Sequence, residues 1–388
     1  MKSFKHITPS SRVFYGPDSL KNLYGELSRI NCSRALILCD PYLAQNGTFL
    51  DMVRSEVSDR CVGVFTNIVP NSPVPAVMEG VEEIKRLKAD ALIVIGGGST
   101  VTTARAINII AAENADLSTI CTKRDENGRM ISPKLMAPKL PIIVVPTTPS
   151  TAFVKSGMAI FDPSTNKLIQ MFDPKVRFHS LYIHPYFIQS VPEGLLLNAS
   201  LSSLACAVDG LLSNSGNPMS DALLIHALRL LATSLSDPTH LDNPDVRGEM
   251  MLGATLCGMG SDYTGFGISI VLGHATKAHF PISDGFVNAI VLPHTIPFNG
   301  EVAKEGIQKI AKALGVVPSE NESIQEKVSN ELEAIISRLN IPHRLRDMKV
   351  PHESFTEIAE TAMDDWYLQF VRRPVGVQDL VQIMEHAW

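Results

Sequence analysis

The chain has 388 residues, of which 45% are hydrophobic and 19% are charged, and its formal net charge is −6. This composition is typical of a globular protein and excludes a disordered or fibrous one, and the length predicts two domains. The 34 basic residues are scattered, so the charge pattern argues against nucleic acid or an anionic membrane as a partner.

The start and the cysteines predict the compartment. Met1-Lys2-Ser3-Phe4 lacks the apolar core of a signal peptide, and no stretch approaches the roughly 18 uninterrupted apolar residues of a membrane-spanning helix. The six cysteines are widely spaced and form no CxxC pair, which is typical of reduced, mostly buried thiols. We therefore expect a cytoplasmic protein.

The first half of the chain predicts a parallel α/β domain. Four short apolar runs have the pattern of strands, at 35–39, 62–65, 91–95 and 141–145. The third run is continuous, as expected of a strand that is covered on both faces of a sheet. Helical patterns at 74–87 and 101–111 lie between the runs. This alternation is the signature of a doubly wound sheet.

From about Pro192 onward the pattern becomes helical. The helical stretches cover 195–214, 220–236, 246–257 and 267–280, and further ones extend from 302 to the end. We predict an α/β domain over residues 1–188 and an all-helical domain over residues 189–388, with the boundary near 183–192.

A glycine-rich loop follows the strand at 91–95. Gly96, Gly97, Gly98 and Ser99 lie directly before the helical pattern at 101–111. Glycines at this point let the backbone approach a phosphate, and a helix N-terminus supplies N–H donors. The alternative is a tight turn that is glycine-rich for local reasons. The run matches neither GxGxxG nor a Walker A motif, so it does not indicate an ordinary Rossmann or kinase site.

Polar residues follow two other strands. Asp40 ends the strand at 35–39, where a carboxylate can bind the hydroxyls of an adenosine ribose and favour NAD over NADP. The alternative is a helix or turn cap at Asp40-Pro41. Thr147, Thr148 and Thr151 follow the strand at 141–145, and their hydroxyls can reach a cofactor; alone, they would be an ordinary polar loop.

Taken together, these motifs resemble those of the iron-containing (group III) alcohol dehydrogenases, which have the dehydroquinate-synthase-like fold. The similar segments run nearly from end to end: Phe14-Tyr15-Gly16, Asn71-Ser72-Pro73, the glycine loop, Pro146-Thr147-Thr148, and Asn288-Ala289-Ile290-Val291-Leu292-Pro293-His294. The resemblance implies a Rossmann-like N-terminal domain, a helical C-terminal domain and a cleft between them. It further implies an NAD(P)-dependent enzyme with a small-molecule substrate, which interconverts an alcohol and an aldehyde or ketone. The family resemblance also implies a homodimer or larger homo-oligomer.

The same resemblance predicts that the metal site is lost. The family binds iron or zinc through an Asp and three His, and the matching positions here are Ser202, Cys206, Ile270 and Asp284. Serine and isoleucine cannot replace carboxylate and imidazole as ligands, so we predict an enzyme without a metal. A different zinc site made of Cys206, His274 and Asp284 stays open as an alternative.

Without a metal, another group has to polarise the carbonyl. His274 is the first candidate, since it matches a family His that lines the site without being a ligand; the alternative is a packed helical histidine. Asp284 could orient His274 or Lys277. Lys277 is a possible cation or a solvated surface lysine, and Cys206 a possible nucleophile or a small apolar filler. Phe153 replaces a smaller family residue and would add bulk near the nicotinamide.

Three hypotheses on function follow. The first is a metal-independent, NAD(P)-linked oxidoreductase of an alcohol and its carbonyl compound. The second is a repurposed lyase, isomerase or hydrolase on the same fold, and the third is a non-catalytic binding protein.

Overall fold

The computed structural model describes residues 3–8, 10–126, 130–317 and 322–388, and these form two compact units. The α/β unit comprises Thr8–Thr148 and Ala152–Val191. The helical unit comprises Pro192–Trp388 together with Met1–Ile7 and Pro149–Thr151. The chain therefore leaves the α/β unit briefly at 149–151, within the region that the sequence places wholly in the α/β domain.

The strands of the described chain all lie in the α/β unit. In chain order they are β1 (Arg12–Tyr15), β2 (Ala35–Cys39), β3 (Cys61–Phe65), β4 (Ala91–Gly96), β5 (Lys123–Arg124), β6 (Met130–Ile131), β7 (Ile142–Pro146), β8 (Gly157–Asp162), β9 (Lys167–Phe172) and β10 (Phe178–Ile183). Six of them form one parallel sheet in the order β1-β10-β7-β4-β2-β3. β5 pairs with β6, and β8 with β9, as antiparallel ribbons.

The core of this unit explains why its strands were predictable. Every residue of β2, β4 and β7 is buried, because these central strands are covered on both faces, and their sequences are continuous apolar runs. The pattern did not predict β8, β9 and β10. β8 and β9 expose many of their side chains, and β10 contains the polar His179 and Ser180.

The helices of the α/β unit are α1 (Leu23–Arg29), α2 (Pro41–Gln45), α3 (Gly47–Val57), α4 (Val74–Leu87), α5 (Gly98–Glu113), α6 (Leu117–Ile120) and α7 (Pro185–Gln189). Short 3-10 turns supplement them at Ser19–Asn22, Ser58–Arg60, Thr151–Phe153 and Pro174–Val176. The predicted helices over 74–87 and 101–111 are confirmed as α4 and α5.

The helical unit contains longer helices. They are α8 (Glu193–Leu212), α9 (Pro218–Ser236), α10 (Pro244–Thr264), α11 (Ile268–His279), α12 (Asp284–Asn299), α13 (Lys304–Leu314), α14 (Ile324–Ser337), α15 (Phe355–Ala362) and α16 (Val377–His386). Its 3-10 turns are Pro238–His240, Leu345–Met348, His352–Ser354 and Trp366–Phe370. The predicted fold class, an α/β domain followed by an all-helical domain, is confirmed.

The sequence pattern misses α12. This helix contains Pro293 and Pro297, and proline removes a backbone donor and normally ends a helix. Burial compensates for that loss here, since most of α12 is buried in the helical unit. Helix propensity is a weak signal when tertiary packing opposes it.

α8 is the most apolar of the long helices. Within the described residues it alone is long and apolar enough to cross a membrane, but 78% of its 18-residue apolar window is buried inside the protein. That environment is the one expected of a core helix.

A buried carboxylate connects α8 to the start of α11. Gly267, which precedes α11, has no side chain to cap the helix, and Asp209 of α8 supplies the missing acceptor. One of its oxygens, Oδ2, accepts hydrogen bonds from Gly267 N (3.0 Å), Ser269 Oγ (2.7 Å) and Ile270 N (3.3 Å). Burial raises the pKa of Asp209 to about 6, although the hydrogen bonds oppose that rise.

We expect Asp209→Ala to destabilise the helical unit by roughly 2 kcal/mol, because the donors at the start of α11 lose their acceptor. Since the folded pKa lies above the ordinary value, the stability that Asp209 contributes is greatest below about pH 4 and falls as pH rises to about 6. Thermal melting of wild type and variant between pH 4 and pH 7 measures both effects. The exposed Glu360→Ala is the control, and an unchanged melting temperature for Asp209→Ala would contradict the capping role.

Candidate active site

The glycine loop lies at the carboxyl end of β4. Gly96 has φ +151°, and a Cβ at this position would overlap Thr100 Oγ1 and lie 3.2 Å from the Cβ of Asp40. No side chain caps the N-terminus of α5, and Thr100 Oγ1 is buried without a hydrogen-bond partner. Open N–H groups and an unused hydroxyl at a helix N-terminus fit a phosphate group.

The other predicted cofactor residues of the α/β unit surround this loop. Asp40 N donates to Ile95 O at 2.9 Å, and Thr147 N donates to Gly96 O at 3.1 Å. A Cβ on Gly97 would lie 3.1 Å from Thr148 Oγ1. Gly98 is the first residue of α5, and Ser99, the second, is exposed. The structure therefore brings the residues that follow β2, β4 and β7 together at one edge of the sheet.

The sheet topology identifies that edge as a switch point. From β2 the chain continues to β3 on one side, whereas from β4 it continues to β7 on the other side. In open α/β sheets, ligands bind outside the carboxyl ends of strands at such a reversal. Asp40 and the glycine loop flank this point.

Both sequence interpretations of Asp40 are compatible with the structure. Its Oδ1 accepts a hydrogen bond from Tyr42 N at 3.0 Å and so caps α2. Its Oδ2 makes no hydrogen bond to any described residue. One carboxylate oxygen thus has a structural role, and the other can accept a hydrogen bond from a ribose hydroxyl.

Two residues of the loop that follows β7, Thr151 and Phe153, belong to different units. Thr151, a predicted cofactor residue, belongs to the helical unit, and its role stays a prediction. Phe153 has no exposed surface, and its carbonyl accepts a hydrogen bond from Arg105 Nη2 at 2.6 Å. The expectation that Phe153 adds bulk beside a nicotinamide stays a prediction.

The helical unit holds the residues that match the family's metal positions. Ser202 and Cys206 lie on α8, Ile270 on α11, and Asp284 is the first residue of α12. Cys206 and Ile270 are each only 3% exposed. Ile270 has no donor atom, and buried Cys206 fits the small-filler interpretation better than that of a nucleophile.

The remaining two positions have protein partners. Ser202 Oγ lies 3.2 Å from the side-chain amide of Asn288. In the orientation that suits all its neighbours, the amide oxygen accepts from Ser202 Oγ, and the amide nitrogen donates to Asp284 O at 2.9 Å and Ser269 O at 3.1 Å. The Asp284 carboxylate pairs with Lys277 Nζ at 3.4 Å on a partly exposed surface, so Asp284 orients Lys277 and not His274.

This donor set does not fit iron or zinc. Among the described residues, no three His, Cys, Asp or Glu side chains are grouped closely enough to hold a metal ion. The alternative zinc site of Cys206, His274 and Asp284 is therefore not assembled.

His274 has a different partner from any predicted. Its Nδ1 lies 2.8 Å from Asp365 Oδ2, and about half of its side chain is exposed. The other oxygen of Asp365 accepts a hydrogen bond from Tyr367 N at 2.9 Å. An imidazole whose Nδ1–H is held by a carboxylate keeps Nε2 available for proton exchange. On the same helix, His279 Nε2 lies 2.8 Å from Thr361 Oγ1.

Sequence reasoning missed Asp365 and Tyr367. They lie more than 90 residues from His274 in the chain and belong to none of the recognised motifs. The run Asp364-Asp365-Trp366-Tyr367 combines acids and aromatics near the C-terminus, but this gives no indication of which side chain it meets.

The chain matches known proteins over almost its whole length. The family model for iron-containing alcohol dehydrogenase matches residues 9–185, and the model for the C-terminal region of the Fe-containing alcohol dehydrogenase family matches residues 197–388. The chain belongs to the iron-containing alcohol dehydrogenase family.

Individual relatives agree with this assignment. The lactaldehyde reductase of Escherichia coli (strain K12) is 28% identical over 381 residues, 97% of each chain. The NAD-dependent methanol dehydrogenase of Bacillus methanolicus is 25% identical over 386 residues, 98% of each chain. A crystal structure of a 1,3-propanediol oxidoreductase superposes with a TM-score of 0.90 at 23% identity over both full chains. The protein is thus an oxidoreductase of alcohols and their carbonyl compounds, which is the reaction class of the first hypothesis.

We expect Gly96→Ala to weaken the binding of NADH at least tenfold, because the new methyl group would displace Thr100 or the strained backbone at the phosphate site. Fluorescence titration with NADH measures the dissociation constant. Gly25→Ala is the matched control in the same unit, since nothing lies within 4 Å of its Cβ position. Equal affinity in Gly96→Ala and wild type would contradict the phosphate-loop assignment.

Proposed function

We propose that the protein is an NAD-linked alcohol dehydrogenase or carbonyl reductase that works without iron or zinc. The observation that supports this most directly is that the residues at the family's metal-ligand positions have other contacts or no donor atom. Ser202 is hydrogen-bonded to Asn288, Ile270 is apolar, and Asp284 is paired with Lys277. Each of these side chains has a local structural role in place of a ligand role.

The α/β unit fits a dinucleotide at the switch point. Gly96, Gly97 and Gly98 with the open N-terminus of α5 would hold the diphosphate, and Asp40 Oδ2 would accept a hydrogen bond from the adenosine ribose. Because a carboxylate repels a 2′-phosphate, we propose NAD over NADP. The hydroxyls of Thr147, Thr148 and Thr151 are the proposed polar contacts on the nicotinamide side. Bound there, a reduced nicotinamide supplies hydride to a carbonyl carbon.

The helical unit supplies proton exchange. Asp365 accepts the Nδ1–H of His274, which fixes the ring and its tautomer and leaves Nε2 available to give or take a proton. Since half of the His274 side chain is exposed, it can exchange that proton with solvent. Lys277 forms an ion pair with Asp284, and Cys206 is buried. We therefore assign neither of them a catalytic role. The cytoplasmic location and homo-oligomeric state stay predictions.

The proposal predicts that the purified enzyme binds NADH more tightly than NADPH and reduces an aldehyde from a panel without bound metal. Titration with both nucleotides tests the preference for NADH, absorbance assays test aldehyde reduction, and elemental analysis tests for bound metal. Activity should persist after treatment with a chelator. Loss of activity on chelation, with recovery on addition of iron or zinc, would overturn metal independence, and no saturable nucleotide binding would overturn the cofactor assignment.

We expect Asp365→Asn to reduce kcat about 100-fold, because an amide can no longer hold His274 through its Nδ1–H. The amide oxygen can still accept from Tyr367 N, so the local backbone should be retained. Asp364→Asn is the control for the loss of one negative charge at the adjacent residue. Steady-state kinetics measure kcat, and thermal melting checks that both variants are folded. An equal decrease of kcat in the two variants, or an unchanged kcat in both, would contradict the role of the His274–Asp365 pair.

A further inference from the structure

Tyr367 lies beside His274, the candidate proton-exchanging residue. It belongs to the 3-10 helix Trp366–Phe370, and its ring centroid is 4.7 Å from that of Phe266 and 6.1 Å from that of His274. Burial raises the pKa of Tyr367 well above its usual value, with further contributions from nearby Cys206, Asp365 and Asp262.

The backbone around Tyr367 is held firmly. Asn214 N donates to Phe370 O at 3.0 Å, and Asn214 Nδ2 donates to Gln369 O at 2.9 Å. Arg372 Nε donates to Leu212 O at 2.9 Å. Gly265, with φ +61°, leaves room for the ring of Phe370, which a Cβ there would overlap. These contacts fix both sides of the short helix that carries the tyrosine.

The hydroxyl of Tyr367 has no assigned structural role. It forms no hydrogen bond with any described residue, and the side chain is not completely buried. A phenol in a largely desolvated position stays protonated and can donate a strong hydrogen bond to an oxygen that becomes negative. A hydroxyl of this kind is the type of electrophile that carbonyl reduction needs once a metal is absent.

We propose that Tyr367 is a catalytic residue that donates its hydroxyl hydrogen bond, and then its proton, to the oxygen of the carbonyl substrate. This rests on the proposed function. In the reductive direction a C–H bond forms at the carbonyl carbon with hydride from the reduced dinucleotide. The π electrons of the C=O bond move to oxygen, which takes the phenolic proton. The resulting phenolate, a weaker base than an alkoxide, regains a proton from solvent through His274.

The test is Tyr367→Phe, which removes one hydroxyl and keeps the ring that packs on Phe266. We expect kcat to fall about 100-fold or more, as it does on loss of one oxyanion donor, with the NADH dissociation constant and melting temperature unchanged. Tyr263→Phe is the matched control on the same unit and should keep wild-type kcat. Wild-type kcat in Tyr367→Phe would overturn the proposal while leaving the proposed function intact.

A second measurement does not depend on folding of the variant. The aldehyde that the wild-type enzyme reduces fastest, labelled with ¹³C at its carbonyl, is bound together with oxidised dinucleotide. Infrared difference spectroscopy should show the C=O stretch shifted to lower wavenumber than in water. An unshifted or upshifted stretch would overturn the hydrogen bond, and a shift that persists in Tyr367→Phe would assign it to another donor. Failure of the wild type to reduce any aldehyde would instead count against the proposed function.

Discussion

The carboxylate of Asp365 is the constraint on which the candidate active site of the helical unit depends. One oxygen accepts from Tyr367 N and begins the 3-10 helix, and the other holds His274 Nδ1. Because two residues share one anion, the imidazole and the phenol are fixed relative to each other, 6.1 Å apart between ring centroids. Charge-assisted hydrogen bonds are stronger and shorter than neutral ones, so this arrangement is set before any substrate arrives. Such preorganisation is the main source of electrostatic catalysis.

A metal bound at the family positions would also join the helices that supply its ligands, and in this chain buried hydrogen bonds join the same helices. Asn288 on α12 contacts Ser202 on α8 and Ser269 on α11, and Asp209 on α8 binds the N-terminus of α11. Gly273 allows the approach of α11 to α12, since a Cβ there would overlap the Asn288 amide. Buried polar groups stabilise a structure only when they are satisfied. Ser202 is therefore explained as part of a satisfied hydrogen-bond network between these helices.

A feature of this protein is predictable from the sequence when its signal lies within one segment of the chain. The glycine loop, β2, β4 and α5 are predictable, because continuous apolar runs, glycines at a strand end and a helical period are signals within one segment. α12 is not predictable, since Pro293 and Pro297 oppose a helix that tertiary burial maintains. His274 is found through a motif, but its partner Asp365 lies 91 residues away, and no spacing rule connects them. Asp40 shows an intermediate case: the cap at Tyr42 is local and visible, whereas its remaining oxygen is identified only by the strand order of the folded sheet.

The transition-state stabilisation that a metal ion would supply is small enough for one rigid hydrogen-bond donor to provide. A metal ion that polarises a carbonyl contributes several kcal/mol of transition-state stabilisation, and removing one preorganised hydrogen-bond donor typically costs about 3–4 kcal/mol. The two magnitudes are similar only if the donor is desolvated and cannot reorient. The proposed donor, Tyr367, is partly buried and held in place, because Phe266 packs on its ring and the hydrogen bonds of Asn214 and Arg372 hold its helix.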